Sequence, residues 1–482
     1  MRLALRWISF LVLAIFLLVY LYPSGTSSLT DVSTKISWPS ALGGQPDIPQ
    51  PPEHLVDFWR TWSHIIYNSR PQTDSPISIF GTASTLAPSE PDDARTPYRD
   101  LVVSSDEDME QLRASHERFV GNFEMSHSNA TSWFQGRGVV MVGGGEYFGP
   151  AIIGIQMLRR TGSSLPVEVF VPNEKEYEAE ICENYLPKLN AKCVVLSQFQ
   201  TRGSPKGLKI SHYQLKAPAL LLSSFAEVLL LDSDSIPLVD PSKEIFETEP
   251  YLSNGLITWP DFWRATESPQ FWNITGLSSY PDNLSPFSSE SGQLVINKGT
   301  HLDALLLATY YNLFGPDHYY PLLSQGALGQ GDKETFMAAA VALNASHYRV
   351  KTPALGLGRY DGKTQKGTAL LQYLPFDDAN RSQGSAIRPA FLHSNTPKMN
   401  AGHLVDEGDL VAVDGKSRLR LLGPKSDLVH LFGFDVEDTL WDLLVQTGCE
   451  LADSVREWKG RENLCERLTE HHQLVFDENP DA

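Results

Sequence analysis

Apolar positions recur in two rhythms along this chain. In "EHLVDFWRTWSHIIYNSRP", Leu55, Phe58, Trp59, Trp62, Ile65 and Ile66 fall at helical spacing, and Pro71 ends the run. Residues 105–125 predict a second, more polar helix. At Gly138 the rhythm changes. "GVVMVGG" is a short β-branched run closed by glycines and predicts a buried strand. "PAIIGIQMLRRTG" returns to helical spacing and stops at Gly162, behind two arginines. "PVEVFVP" predicts a second strand, "EKEYEAEICENYLPKL" a helix, "AKCVVLS" a third strand, "YQLKAPALLLSSF" a helix and "EVLLLDSD" a fourth strand. Strands alternating with helices predict an α/β fold with a mostly parallel, Rossmann-like sheet. In such sheets ligands sit beyond the carboxyl ends of the strands.

Further on, "ESGQLVINKGTHLDALLLATYYN" and "YPLLSQGALGQGDKETFMAAAVAL" each predict a Gly-rich loop leading into an apolar helix. "PAFLHSNTPKMNAGHL" predicts a strand and a loop, and "DVEDTLWDLLVQTGCELADSVREWKG" a helix. Residues 23–52, rich in Pro, Ser, Gly and Thr, read as a stem. Ahead of them, Trp7 to Tyr22 is apolar except for Ser9, and Arg2 and Arg6 precede it. From Leu3 this run is long enough to cross a bilayer of roughly 30 Å as a helix. The arginines favour a cytoplasmic N-terminus. The alternative is a cleaved signal peptide, but the run is bulky and no A-x-A-like site follows it. Either reading puts the rest of the chain in the secretory lumen.

Two other features agree with that address. Sequons occur at Asn129, Asn273, Asn283, Asn344 and Asn380. The cysteines are Cys182, Cys193, Cys449 and Cys465, with no CxxC pair, which argues against zinc. Of three possible pairings the local ones, Cys182–Cys193 and Cys449–Cys465, are expected; buried free thiols are the alternative. The 482 residues carry a formal net charge of −19, which excludes a nucleic-acid partner. An anionic ligand would then need something to neutralise it.

"VLLLDSDSIPLVDP" supplies that something. Asp232 and Asp234 end a buried apolar strand, where two like charges would repel and resist desolvation. A divalent cation resolves this: Asp-x-Asp offers hard oxygen ligands for Mn²⁺ or Mg²⁺, and the ion can bridge to a diphosphate. A solvated acidic turn is the alternative.

The segments "VMVGGGEYFGPAIIGIQMLRRTGSSLPVEVFVP", "YQLKAPALLLSSFAEVLLLDSDSIPLVDP", "ITWPDFW", "ESGQLVINK", "YYPLLSQGALGQGDKETFMAAA" and "FLHSNTPKMN" resemble the fungal Golgi α-mannosyltransferases of glycosyltransferase family 71, in particular the α-1,2 branch of mannan side-chain synthesis. The resemblance covers roughly residues 135–400. It implies a type II Golgi membrane protein with a GT-A-type catalytic domain, GDP-mannose as donor, an α-mannoside glycan as acceptor, Mn²⁺ as cofactor and retention of configuration. The implied organisation is a cytoplasmic tip and signal-anchor at 1–22, the stem at 23–52, an N-terminal luminal helical region at 53–134, the GT-A domain at 135–400 and a C-terminal, mainly helical extension at 401–482.

Similarity to other retaining GT-A enzymes implies His393 in "HSNTPK" as third metal ligand and Lys398 as a phosphate partner. The glycine those enzymes carry in this loop is absent here. Lys216 in "YQLKAP" would face the nucleotide, as would Gly143, Gly144, Gly145 and Tyr147 in "GGGEYF". Asp332 and Glu334 in "GDKETF" are the candidate catalytic acids, with Asp332 beside the donor sugar or, alternatively, capping the helix that follows. Glu290 and Gln293 in "ESGQ" are candidates for mannose hydroxyls. Trp259, Asp261 and Trp263 are candidates for an acceptor platform, with core packing favoured for the tryptophans. The competing functions are an α-1,3- or α-1,6-mannosyltransferase of the same fold and a non-catalytic subunit of a Golgi mannosylation complex.

Overall fold

The computed structural model describes residues 48–84, 98–125, 133–277, 281, 284–382 and 385–478. The expected anchor at 1–22, most of the expected stem and the sequons at Asn129 and Asn283 lie outside these residues. Among the described residues no helix is long and apolar enough to cross a membrane. Asn273, Asn344 and Asn380 are exposed.

The central sheet has seven strands. In chain order they are β1 (Arg137–Val142), β2 (Val167–Val171), β3 (Ala191–Val195), β4 (Glu227–Leu231), β6 (Leu256–Arg264), β7 (Phe287–Asn297) and β8 (Tyr348–Arg349). Their spatial order is β8-β6-β7-β4-β1-β2-β3. Pairings among β1 to β4 are parallel, as is β8 with β6. β7 runs antiparallel to both neighbours, so the sheet is mixed. This corrects the reading of "ESGQLVIN" as a Gly-rich loop. The segment is a central strand buried along almost its whole length, and covered on both faces it has no alternation to betray it.

Alternation along the parallel strands divides two cores. Val139, Met141, Leu229 and Leu231 face one, and Val140, Val228 and Leu230 the other. The second face is covered by α1 (Glu53–Asn68), α2 (Asp106–Val120), α4 (Lys216–Leu222), α5 (Lys298–Leu313) and α6 (Thr335–Ala342). Helix α1 buries Leu55, Phe58, Trp59, Trp62 and Ile66 as its spacing predicts, at about 1.5–3 kcal/mol per large apolar side chain. Ser105 caps α2 by accepting from the Asp108 N–H at 3.0 Å.

The first face carries α3 (Phe148–Arg160), α7 (Val436–Leu451) and α8 (Leu464–His472). The C-terminal helices therefore share the core of the sheet. The missing side chain of Gly448 lets α8 approach α7, since a Cβ there would lie 2.2 Å from Leu468 Cδ1. Both local disulfides form, Cys182–Cys193 and Cys449–Cys465. The helix expected over "EKEYEAEICENYLPKL" is broken into 3₁₀ and π turns at Glu174–Glu176, Glu180–Tyr185 and Leu186–Leu189. Pro187 has no N–H to continue an α-helical ladder.

A second, antiparallel sheet contains the strand expected in "PAFLHSNTPK" together with three strands not expected from the sequence. It consists of β9 (Leu355–Tyr360), β10 (Gln365–Tyr373), β11 (Pro389–Ser394) and β5 (Ser235–Pro237), in the order β9-β10-β11-β5. β5 leaves directly from the Asp-x-Asp turn. Its register against β11 sets His393 opposite Ser235, which brings the histidine beside Asp234.

Candidate active site

The acidic turn is held by backbone on three sides. The Asp232 N–H donates to Gly292 O at 2.8 Å, the Ser235 N–H to Asp232 O at 3.0 Å, and the Ser394 N–H to Asp234 O at 2.9 Å. So β4, β7 and β11 meet at one point. There Asp232, Asp234 and His393 each present a ligand atom, all within 4.8 Å of one another. His393 Nε2 is 3.2 Å from Asp234 Oδ1. Two carboxylate oxygens and an imidazole nitrogen suit a divalent ion of the Mn²⁺ class.

Two lysines answer the acids. Lys398 pairs with Asp234. Lys216 lies 2.8 Å from Asp232 Oδ2, 3.3 Å from Asp332 Oδ2 and 3.1 Å from Ser291 Oγ. Burial opposes the charge on His393, but Asp234 and Glu290 on its two edges outweigh burial and hold the ring protonated well above the usual range. Burial likewise pushes on Asp234, yet His393 and Lys398 hold its carboxyl below the usual range. Glu290 is held at about 2 against burial by His393 and the Gly292 N–H. Asp232 differs: burial raises its carboxyl in spite of Lys216, and Asp234 adds repulsion. It is the acid most in need of a second cation.

The expected residues separate into those that line a cavity of about 1220 Å³ and those beneath it. Gly143–Gly145, Tyr147, Lys216, Asp232, Asp234, Glu290, Asp332, His393 and Lys398 line it. Gly144 and Gly145 take φ of 103° and 53°, conformations open to glycine. Asp332 does not cap α6. Its backbone oxygen receives the Thr335 N–H at 2.9 Å, while its carboxylate turns to Lys216. Glu334 is buried and accepts from the Ser288 hydroxyl and the Ser289 N–H at 3.1 Å, so it braces β7 rather than facing the cavity. Gln293 is fully buried and accepts from Ser235 Oγ at 3.3 Å, under the cavity floor. Trp259 is core, with its indole N–H on Tyr373 O at 2.9 Å, whereas Trp263 lines the cavity. Asp261 is ion-paired with Lys333 at 2.6 Å, tying the "WPDFW" strand to the loop that carries Asp332.

Sequence reasoning missed three contributors. The β9–β10 hairpin forms one wall, from Leu355 to Leu370. Tyr213 packs on Gly331, where a Cβ would lie 3.2 Å from its ring. Glu457 enters from the C-terminal region. The adjacent Trp458 donates to Asn400 Oδ1 at 3.0 Å, and Asn400 Nδ2 donates to Glu146 O at 3.0 Å. Gly149 and Gly402 leave room for that indole, which a Cβ would meet at 2.8 and 2.1 Å. The paired glycines within "FGPA" and "NAGHL" were the available signal.

A family model described as "Mannosyltransferase putative" matches residues 136–387, just over half of the chain. The alpha-1,2-mannosyltransferase MNN21 of Candida albicans is 32% identical over 77% of this chain and 66% of its own length. MNN2 of Saccharomyces cerevisiae, of the same description, is 38% identical over 57% of this chain and 51% of its own. MNN5 of Saccharomyces cerevisiae is 32% identical over 75% of this chain and 77% of its own. The chain thus spans about half to two thirds of the length of MNN2 and MNN21. Among solved structures, the glycosyltransferase GlyE of Streptococcus pneumoniae aligns at a TM-score of 0.29 with 15% identity over 45% of each chain. The galactosyltransferase LgtC, in complex with donor and acceptor sugar analogs, aligns at 0.27 with 12% identity over 44% of this chain and 72% of that one. From the family match and the extent of these relatives, the chain belongs to the mannosyltransferase family that includes these fungal alpha-1,2-mannosyltransferases.

Proposed function

We propose that this protein is a GT-A-type α-1,2-mannosyltransferase that moves mannose from GDP-mannose to an α-mannoside acceptor with retention of configuration. The observation that carries this reading is the convergence of Asp232, Asp234 and His393, with Lys216, Lys398 and Asp332, on one deep cavity. Asp232, Asp234 and His393 would hold a divalent ion such as Mn²⁺, which when bound supplies the charge that makes an acidic site accept a diphosphate. Lys398 and Lys216 add fixed positive charge for the same anion. The Gly143–Gly145 turn lets the backbone approach the nucleotide. In transfer, the bond from the anomeric carbon to the diphosphate oxygen breaks, and its electron pair leaves with GDP. The acceptor 2-hydroxyl oxygen bonds to the same face, and its proton passes to the departing phosphate. Asp332, its carboxylate on the cavity wall, stabilises positive charge at the anomeric carbon.

A luminal address in the Golgi membrane, type II, is part of the proposal. The apolar N-terminal run, the sequons and two disulfides support it. The test uses the full-length chain in detergent with GDP-mannose, α-mannobiose and Mn²⁺, followed by linkage analysis. A new α-1,2 bond, lost on chelation and in Asp234→Ala, is expected. Undiminished transfer after exhaustive chelation overturns the metal, and an α-1,3 or α-1,6 product overturns the linkage. Metal binding without any transfer would mark a non-catalytic subunit.

A further inference from the structure

We propose that Glu176 and Glu457 read the base of the donor nucleotide and select guanine, with Glu457 supplied by the C-terminal region, outside the residues 136–387 that the family model matches. The inference rests on reading the cavity as a nucleotide-sugar site, and it names the part that chooses the nucleotide.

The sheet sets the direction of the ligand. β4 ends in Asp232 and Asp234, where the diphosphate is expected. Its neighbour β1 ends in the Gly143–Gly145 turn, and β2 lies beyond β1. Adjacent strands are about 4.8 Å apart, so the end of β2 is about 10 Å from the acidic turn. A nucleotide with its phosphates at β4 and its ribose over the glycine turn carries its base to the end of β2. The cavity continues there, lined by Pro172, Asn173 and Glu176. On the other side of the acidic turn, towards β7 and β6, Glu290, Asp261 and Trp263 line it, which leaves that end for sugars.

The base end is acidic. Glu176 lies against the glycine turn: a Cβ on Gly144 would stand 3.1 Å from its Cβ, and one on Gly145 would stand 3.4 Å from its Oε2. The same point on Gly145 is 3.6 Å from Glu457 Oε1. Oxygens of two acids from distant parts of the chain therefore face one spot in the cavity. The other oxygen of Glu457 is 3.3 Å from His403 Nε2. Arg456 Nη1 is 4.0 Å from Glu176 Oε2 and donates to Lys175 O at 2.6 Å. The backbone that carries Glu457 is fixed by the buried Trp458 beside it, whose indole donates to Asn400 Oδ1.

Carboxylates only accept hydrogen bonds. Two of them repel a diphosphate and suit a ligand edge that only donates. Guanine has such an edge, with its ring N1–H beside its 2-amino group. Uracil offers one N–H between two carbonyl oxygens, and adenine one amino group beside a bare ring nitrogen. Each of those bases would set an acceptor against an acid.

The test is calorimetric titration of the full-length chain in detergent, in Mn²⁺, with GDP, UDP and IDP, the last being GDP without its 2-amino group. The wild type should bind GDP about 10-fold or more tighter than either of the others. Glu176→Ala and Glu457→Ala should each weaken GDP by about 10–100-fold, the usual effect of losing a hydrogen bond to an ionised group. In the variant that has lost the partner of the amino group, GDP and IDP should bind alike. Both side chains are partly exposed, so melts should stay near wild type. A merely structural role would weaken GDP and IDP equally. A GDP-to-IDP ratio unchanged in both variants overturns the inference, as does a wild-type preference for UDP or no binding of GDP at all. Base selection that depends on these acids, without transfer from GDP-mannose, overturns the functional reading and leaves this one standing. Transfer with base selection indifferent to both variants does the reverse.

Discussion

Lys216 reaches Asp332 across the cavity, with Nζ 3.3 Å from Oδ2, while the same ammonium lies 2.8 Å from Asp232. One cation thus links the acid expected at the metal to the acid expected at the sugar. Both carboxylates are largely buried, and among the described residues neither has another lysine or arginine within ion-pair distance. Lys216→Met should strand them and destabilise the protein by about 3–5 kcal/mol, the usual cost of breaking a buried pair. Added Mn²⁺ restores part of the missing charge, so the loss in Tm should shrink when melts are repeated with the metal. A variant that melts like the wild type in both conditions would show that the lysine is dispensable.

Asp332→Asn tests the other end of that link. Its carboxylate makes no helix cap, so substitution removes charge without removing a structural hydrogen bond at α6. GDP affinity in Mn²⁺ should stay near normal while kcat falls by roughly two or more orders of magnitude, as for a lost transition-state contact. Normal turnover would move the catalytic role elsewhere in the cavity.

Trp458→Ala should show that the C-terminal region belongs to the site. The indole is fully buried between Gly149 and Gly402, so its loss should cost about 3–5 kcal/mol. Asn400 then loses its indole donor, and the turn at Glu146 loses its support. The donor KM should rise along with the drop in Tm. Asn400→Ala, which leaves the packing largely intact, should raise KM with a smaller loss of stability.

Acid should weaken the fold through buried neutral histidines. Burial lowers the pKa of His116 from 6.5 to about 4, with its Nε2 2.9 Å from Tyr311 Oη. The folded pKa lies below the unfolded one, so between those values the unfolded chain binds more protons and stability rises with pH. The contribution is present above pH 6.5 and lost as pH falls towards 4. The loss reaches about 2–3 kcal/mol by pH 5–4.5, at roughly 1.4 kcal/mol per pH unit. Denaturant titrations of wild type and His116→Gln at pH 7 and pH 5 should show a shallower pH dependence in the variant.

Local chemistry determined much of this protein before any folding was known. The apolar run ending in Asp232 and Asp234 and the helix–strand alternation from Gly138 were legible because each is a property of contiguous residues, and the short separations favoured the two local disulfides; His393 and Lys398 were singled out by resemblance to other enzymes. Periodicity reports a chain with one wet face and one dry face. It fails for β7, whose serines, Glu290 and Gln293 are buried on both sides of a central strand. Motif chemistry likewise could not separate Asp332 from Glu334 or Glu290 from Gln293: only packing sends Asp332 and Glu290 to the cavity while turning the other two into its frame. The metal site itself is a tertiary fact. Asp234 and His393 meet because β11 pairs with β5 in one register, and a slip of a single residue would turn the histidine to the opposite face of its sheet.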